Sequence, residues 1–155
     1  MTERPIVLLL SGPNLNLLGT RQPEIYGTTT LADLVALASH TAADNGLSLE
    51  HVQSATESVL VGAVHEARTR CAAIVVNAGA LTHYSWSLHD ALNTFDGVKI
   101  ELHISNTHAR DSWRHTSVIA GAVHGSIQGF GPDGYVLAIE GAARLLSARA
   151  KNKHA

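Results

Sequence analysis

The 155-residue sequence predicts an α/β domain of three layers, with helices on both faces of a five-stranded parallel sheet. Three observations lead there. Short apolar runs alternate with longer segments whose apolar residues recur at helical spacing, as βαβ units require. Helices of about ten or more residues between successive strands make crossover connections, and so a parallel sheet. Segments rich in Gly, Pro and Asn follow the first, third and fourth strands. In an open parallel sheet, ligands sit at those carboxyl ends, next to the switch in strand order. Together these features give a doubly wound, flavodoxin-like sandwich with strand order 2-1-3-4-5.

The elements follow in order. Residues 6–10, Ile-Val-Leu-Leu-Leu, read as a strand buried on both faces. Residues 11–27 then form a long binding loop that carries Arg21 and Tyr26. Residues 30–45 read as a helix stopped at Gly46, and 47–54 as strand two. From 56 to 70, Val59, Leu60, Ala63, Val64 and Ala67 lie at helical spacing. Residues 72–77 are strand three and 85–94 a helix, with Thr82 or Ser85 as its cap. Strand four is expected over 99–105, a short helical turn over 111–115, and strand five over 126–130. A last helix over 134–149 ends in a frayed basic tail, with 151–155 disordered. The whole chain reads as one catalytic domain, without repeats or linkers.

Composition narrows the class. The formal net charge of −2 and a pI near 6.5 point away from a nucleic-acid partner. No run is long enough for a membrane span. The polar start implies no signal peptide, and the single cysteine, Cys71, fits a reducing compartment, so a cytoplasmic location is expected. There is no Gly-x-Gly-x-x-Gly after the first strand, and no Walker lysine motif or Gly-x-Ser-x-Gly elbow. Lys99 begins its strand, away from the crevice, and Lys151 and Lys153 lie in the tail, which argues against Schiff-base chemistry.

The polar groups with chemical capacity fall on the expected crevice. Strand four carries Glu101, His103 and Ser105 two residues apart on one face. Burying them is costly without partners. One reading is a core histidine propped by Glu101; beside a crevice, His103 reads as a working acid or base. Glu101, His103, His108 and His115 lie near one another, yet no metal-ligand spacing occurs. No metal or cofactor is expected. Tyr26 is either a packed lid residue or a base, and as a base it needs help. Lowering a phenol from a pKa of about 10 by roughly three units takes about 4 kcal/mol of selective phenolate stabilisation. Arg21, Arg110 and Arg114 offer cations for that, or for an anionic substrate. Asn14 and Asn77, each just past a strand end, are turn formers or neutral orienting groups. His83 lies near a helix start, and Asp90 reads most simply as a solvated carboxylate on that helix.

The segments 12–27, Asn77-Ala78-Gly79-Ala80 with Thr82-His83, Asp90-Ala91-Leu92 and Glu101 through Asn106 resemble, in order and spacing, the type II 3-dehydroquinate dehydratases. The likeness continues through His108-Ala109-Arg110, Arg114-His115, Gly129-Phe130-Gly131 and Gly134-Tyr135. The resemblance implies reversible dehydration of 3-dehydroquinate to 3-dehydroshikimate through an enolate. Tyr26 would be the base, with Arg21 favouring its phenolate and Asn14 helping to hold a water at the enolate. His103 would be the general acid, with Glu101 behind it. Asn77 and Gly79 would position the substrate. Backbone at Ile104 and Ser105 would take its carboxylate, His83 and Arg114 its hydroxyl groups, and Arg110 would support the lid. The resemblance also implies trimers assembled into a dodecamer, with Asp90 reaching a neighbour's site, and a place in the shikimate or quinate pathway.

Four positions depart from the family pattern. Ser11 replaces Asn, Ala55 an Asn or Asp, Gly62 an acidic residue and His89 an Arg. None removes a proposed catalytic group. Two other readings stay open at this level. One is a flavin- or small-ligand-binding module with Tyr84 and Trp86 as stacking aromatics. The other is a metal-dependent hydrolase or lyase.

Overall fold

The computed structural model describes residues 2–20 and 22–154, apart from the Tyr26 side chain. Five strands, β1 (Ile6–Ser11), β2 (Ser48–Gln53), β3 (Ala73–Asn77), β4 (Val98–His103) and β5 (Gly125–Gln128), form one sheet of order β2-β1-β3-β4-β5. Every pairing is parallel. The expected order is the observed one.

Alternation along the strands divides the core into two layers. Val7, Leu9, Val75, Ile100 and Leu102 face one side, where they pack with Leu34, Ala38, Tyr135 and Ile139. Those residues come from α2 (Leu31–Asp44) and α5 (Asp133–Lys153). Leu8, Leu10, Ile74 and Val76 face the other side, against Leu60, Val64, Leu88 and Leu92. These belong to α3 (Glu57–Ala67) and α4 (Trp86–Asn93). β1 and β3 are central, and their side chains are buried on both faces from Val7 to Ser11 and from Ala73 to Asn77. This is why both read as continuous apolar runs rather than alternating ones.

The helices begin where local chemistry sets them. Thr30 and Asp33 form a reciprocal capping box at α2, each side chain accepting the other's backbone N–H. Ser85, not Thr82, caps α4, its Oγ accepting from Leu88 N at 3.1 Å. The same hydroxyl donates to Glu57 Oε2 at 2.7 Å, tying α4 to α3. α5 continues to Lys153, beyond the expected end at 149, and lysines 151 and 153 fall in its last turn, where cations suit the helix dipole.

Three further differences from the sequence reading bear on the site. The described residues between 11 and 27 are more structured than expected, with a 3₁₀ turn at Leu15–Leu17 and a one-turn helix α1 (Pro23–Tyr26). Pro23 at the first helical position brings a φ already suited to a helix. β5 stops at Gln128 because Gly129 turns the chain with φ of +88°, a conformation other residues rarely adopt. β4 stops with it at His103, so Ile104 and Ser105 lie just beyond the strand end. The Gly131 N–H donates to the Ile104 carbonyl instead.

Candidate active site

Two strand-end loops meet above β1 and β3. The Gly12 N–H donates to Asn77 O at 2.8 Å, and a Cβ at Gly12 would stand 2.2 Å from Ala78 O. Only glycine permits this approach. It sets the Pro13-Asn14 turn against the start of the β3 loop, with Asn14 in the left-handed region at φ of 69°. The loop after β4 closes the third side. Asn14, Asn77, Gly79, His83, His103, Ile104, Ser105, Arg110 and Arg114 all line the resulting crevice. Each of these residues was singled out by sequence, and they come from three separate strand-end segments.

Asn77 is almost fully buried, and both ends of its amide are fixed. Oδ1 accepts from Gly79 N at 3.3 Å, and Nδ2 donates to the Tyr135 hydroxyl at 3.2 Å. Tyr135 is fully buried, and burial pushes its pKa up to about 12, so its hydroxyl stays neutral. His83 donates through Nδ1 to Thr116 O at 2.8 Å. Its pKa is lowered, chiefly because burial disfavours the charged ring.

His103 stands at the end of β4 and donates through Nε2 to Glu101 Oε1 at 2.7 Å. Glu101 is 1 % exposed and therefore needs several donors to remain charged. It has them: besides His103, Thr82 donates to Oε1, Ser117 lies 2.8 and 2.9 Å from Oε1 and Oε2, and Ser126 lies 3.4 Å from Oε2. Burial pushes the carboxyl up, but the hydrogen bonds from His103, Thr82 and Ser117 outweigh it and hold the pKa below the usual value. An ionised Glu101 keeps the Nε2 proton on His103 and fixes the ring's orientation.

Charge in the crevice is one-sided. Arg110 and Arg114 line it, the first with Nη1 donating to Ser105 Oγ at 3.3 Å, and no Asp or Glu lines it among the described residues. Such a crevice suits an anion. Lys99 is elsewhere: it points toward the end of α4, where Nζ donates to Leu92 O at 2.9 Å and Phe95 O at 2.7 Å. It serves as a buried cap on helix carbonyls.

Several residues fall outside this constellation. Tyr26's side chain and all of Arg21 lie outside the described residues. Asp90 is exposed on α4 and lines no part of the crevice. Tyr84 and Trp86, the aromatics of the flavin-binding reading, are exposed and are not in the crevice wall. The rings of His108 and His115 stack with centroids 5.5 Å apart. His108 accepts from Gln128 Nε2 and His115 donates to the Arg110 carbonyl. Among the described residues, no three His, Cys, Asp or Glu side chains are grouped so as to hold a metal ion.

Sequence reasoning missed Ser117, Ser126 and Tyr135 as partners of site residues. Thr82 was seen only as a cap or motif residue. A buried Glu101 on a strand signals that donors must exist, but nothing local to Ser117 identifies it as one of them.

With this geometry in place, the likeness to known proteins is specific. The family model described as "Dehydroquinase class II" matches residues 5–143. A 3-dehydroquinate dehydratase from Methylobacterium radiotolerans is 54% identical over 143 residues, covering 92% of this chain and 96% of that one. A catabolic 3-dehydroquinase from Pyricularia oryzae is 45% identical over 154 residues, covering 98% of each. Among solved structures, a type II dehydroquinase from Propionibacterium acnes superposes with a TM-score of 0.86 at 41% identity. That match covers 93% of this chain and 98% of the other.

Proposed function

Because this chain belongs to the class II dehydroquinase family, we propose that it is a hydro-lyase that reversibly dehydrates 3-dehydroquinate to 3-dehydroshikimate, in the shikimate or quinate pathway. One observation supports the residue assignment: three strand-end segments bring Asn14, Asn77, His83, His103 and Arg114 around one crevice, with a buried carboxylate behind His103.

The proposed sequence has two proton transfers. The Tyr26 phenolate takes a proton from the carbon beside the ketone, and the electron pair moves onto the ketone oxygen to form an enolate. Arg21 favours the phenolate, and Asn14 holds the water that stabilises the enolate oxygen. The enolate then collapses, the carbon–oxygen bond breaks, and His103 protonates the departing hydroxyl, which leaves as water. Glu101 steadies the imidazolium before transfer and the ring orientation after it. Asn77 and Gly79 position the substrate. Backbone at Ile104 and Ser105 receives its carboxylate in a crevice made cationic by Arg110 and Arg114, and His83 and Arg114 contact its hydroxyl groups. Lys99, engaged with α4 carbonyls, is not placed to form an imine. In the family assembly adopted for this reading, trimers build a dodecamer and Asp90 serves a neighbouring subunit.

The direct test follows the product. Incubating the protein with 3-dehydroquinate should raise ultraviolet absorbance as the conjugated enone forms. Borohydride added with substrate should leave the activity intact. No absorbance change would overturn the reaction, and substrate-dependent trapping of a lysine adduct would overturn the enolate route.

A further inference from the structure

The Glu101 carboxylate sits below the crevice, almost fully buried, where one imidazole and three hydroxyls donate to it. An ionised carboxylate has about four acceptor sites. Oε1 alone serves His103, Thr82 and Ser117, so these donors share one oxygen's charge.

Ser117 differs from the other hydroxyls in being aimed. Its Oγ accepts the Ala120 N–H at 3.1 Å, at the start of the 3₁₀ turn Ala120–Ala122. The Thr82 hydroxyl lies 3.2 Å from the same Oγ but its proton goes to Glu101 Oε1, and the Ser117 proton is directed at the carboxylate, whose two oxygens stand 2.8 and 2.9 Å away. The segment around it is anchored independently: the Val118 N–H donates to Thr82 O at 2.8 Å, and the Thr116 carbonyl accepts from His83. The hydroxyl is therefore held by backbone on both sides of the site.

We propose that Ser117 is a positioning residue for the acid group: it holds Glu101 as an anion and draws off part of the charge that the carboxylate otherwise presents to His103. This rests on the reading of His103 as the general acid. The consequence is a matter of balance. Every donor that Oε1 loses leaves more charge facing the imidazolium, which then holds its proton more tightly and gives it up less readily. Among the described residues, the other charged or titratable groups facing this pair are His83 on the β3 side and Arg110, Arg114, His108 and His115 on the loop after β4. β5 contributes the uncharged Ser126 and Gln128. Ser117→Ala leaves all of them in place, so a shift in His103 reports the hydroxyl.

The test uses two readouts. In Ser117→Ala, the NMR titration of the His103 ring should move up by about one pH unit, the scale of one hydrogen bond to a charged group. The alkaline limb of the kcat profile should move up with it, while kcat on the plateau falls by about tenfold and KM changes little. Ser117→Thr, which keeps the hydroxyl, should restore both. If Ser117→Ala does not fold, Ser117→Cys, a weak donor of similar size, should give the same direction of shift. An unmoved His103 titration overturns the role of Ser117. A moved titration with an unmoved rate profile overturns instead the assignment of His103 as the acid.

Discussion

His103 and Glu101 show how two neighbouring side chains on one strand face take different parts. His103 reaches the crevice, while Glu101 stays beneath it and is charged only because hydroxyls and the imidazole donate to it. Replacing His103 by Ala should lower turnover by about a hundred- to ten-thousandfold with the fold retained, and Tyr26→Phe should do the same. Steady-state rates together with circular dichroism check this, and near wild-type turnover in either variant would remove that residue from its role. Glu101 also makes an acid-stability prediction. Its folded pKa lies below the ordinary value of 4.5, so the unfolded chain binds more protons around that pH. The stabilisation is complete above the unfolded pKa and is lost as pH falls through the folded one. Between about pH 5.5 and pH 3.5, the urea midpoint of the wild type should therefore fall more steeply than that of Glu101→Gln. Equal slopes would show that the carboxylate is not held down. Lys99 shows the same economy of placement: it shares a strand face with Glu101 and His103, yet its ammonium is spent on the last carbonyls of α4.

Among the elements, the two strand-end loops depend on each other. Gly12 lets the β1 loop cross against Ala78, and the crossing places Asn14 and Asn77 on the same crevice. Gly12→Ala puts a methyl 2.2 Å from a backbone oxygen, which no side-chain movement relieves. It should destabilise the protein by at least about 2 kcal/mol in urea unfolding and reduce kcat/KM more than the stability loss explains. A variant with wild-type stability and activity would show that the loops can separate freely. The elements themselves were legible because their signals are local: Ile6 to Leu10 is apolar without a break, and Asn77-Ala78-Gly79 punctuates β3. Strand order came with the flavodoxin-like class to which the βαβ pattern pointed, and the crevice from the chemistry of the residues at three strand ends. What was not legible depends on pairing across the chain. Ser117 meets Glu101 from an irregular segment, and Tyr135 meets Asn77 from a helix whose own pattern requires only an apolar face. The overlong reading of β4 has a similar origin, since its end is set by the turn at Gly129, just past the neighbouring strand.

At the scale of the whole molecule, one chain gathers a crevice but leaves Asp90 outside it. Asp90 is exposed one turn along α4 from Trp86, so the two share a helix face. Trp86, Tyr84 and Trp113 are all more than half exposed, which places large aromatic surfaces on the side of the molecule that carries Asp90 and the β4 loop. Exposed aromatics of this kind are suited to burial between subunits. The proposal that Asp90 serves a neighbour's site would give this carboxylate a cationic crevice to meet, since the crevice carries Arg110 and Arg114 with no acidic residue lining it among the described residues. Activity should accordingly require an assembled protein. Asp90→Ala should raise KM while leaving the fold intact, and diluted or dissociated monomers should lose activity that returns on reassembly. The decisive experiment co-expresses two defective chains, Asp90→Ala and His103→Ala, each purified through its own tag so that mixed oligomers are verified. In such oligomers some sites combine an intact His103 crevice from one chain with an intact Asp90 from the other, and these should recover a measurable fraction of wild-type turnover. Verified mixed oligomers without recovery, or fully active monomers, would confine Asp90 to its own subunit's surface and remove it from the site.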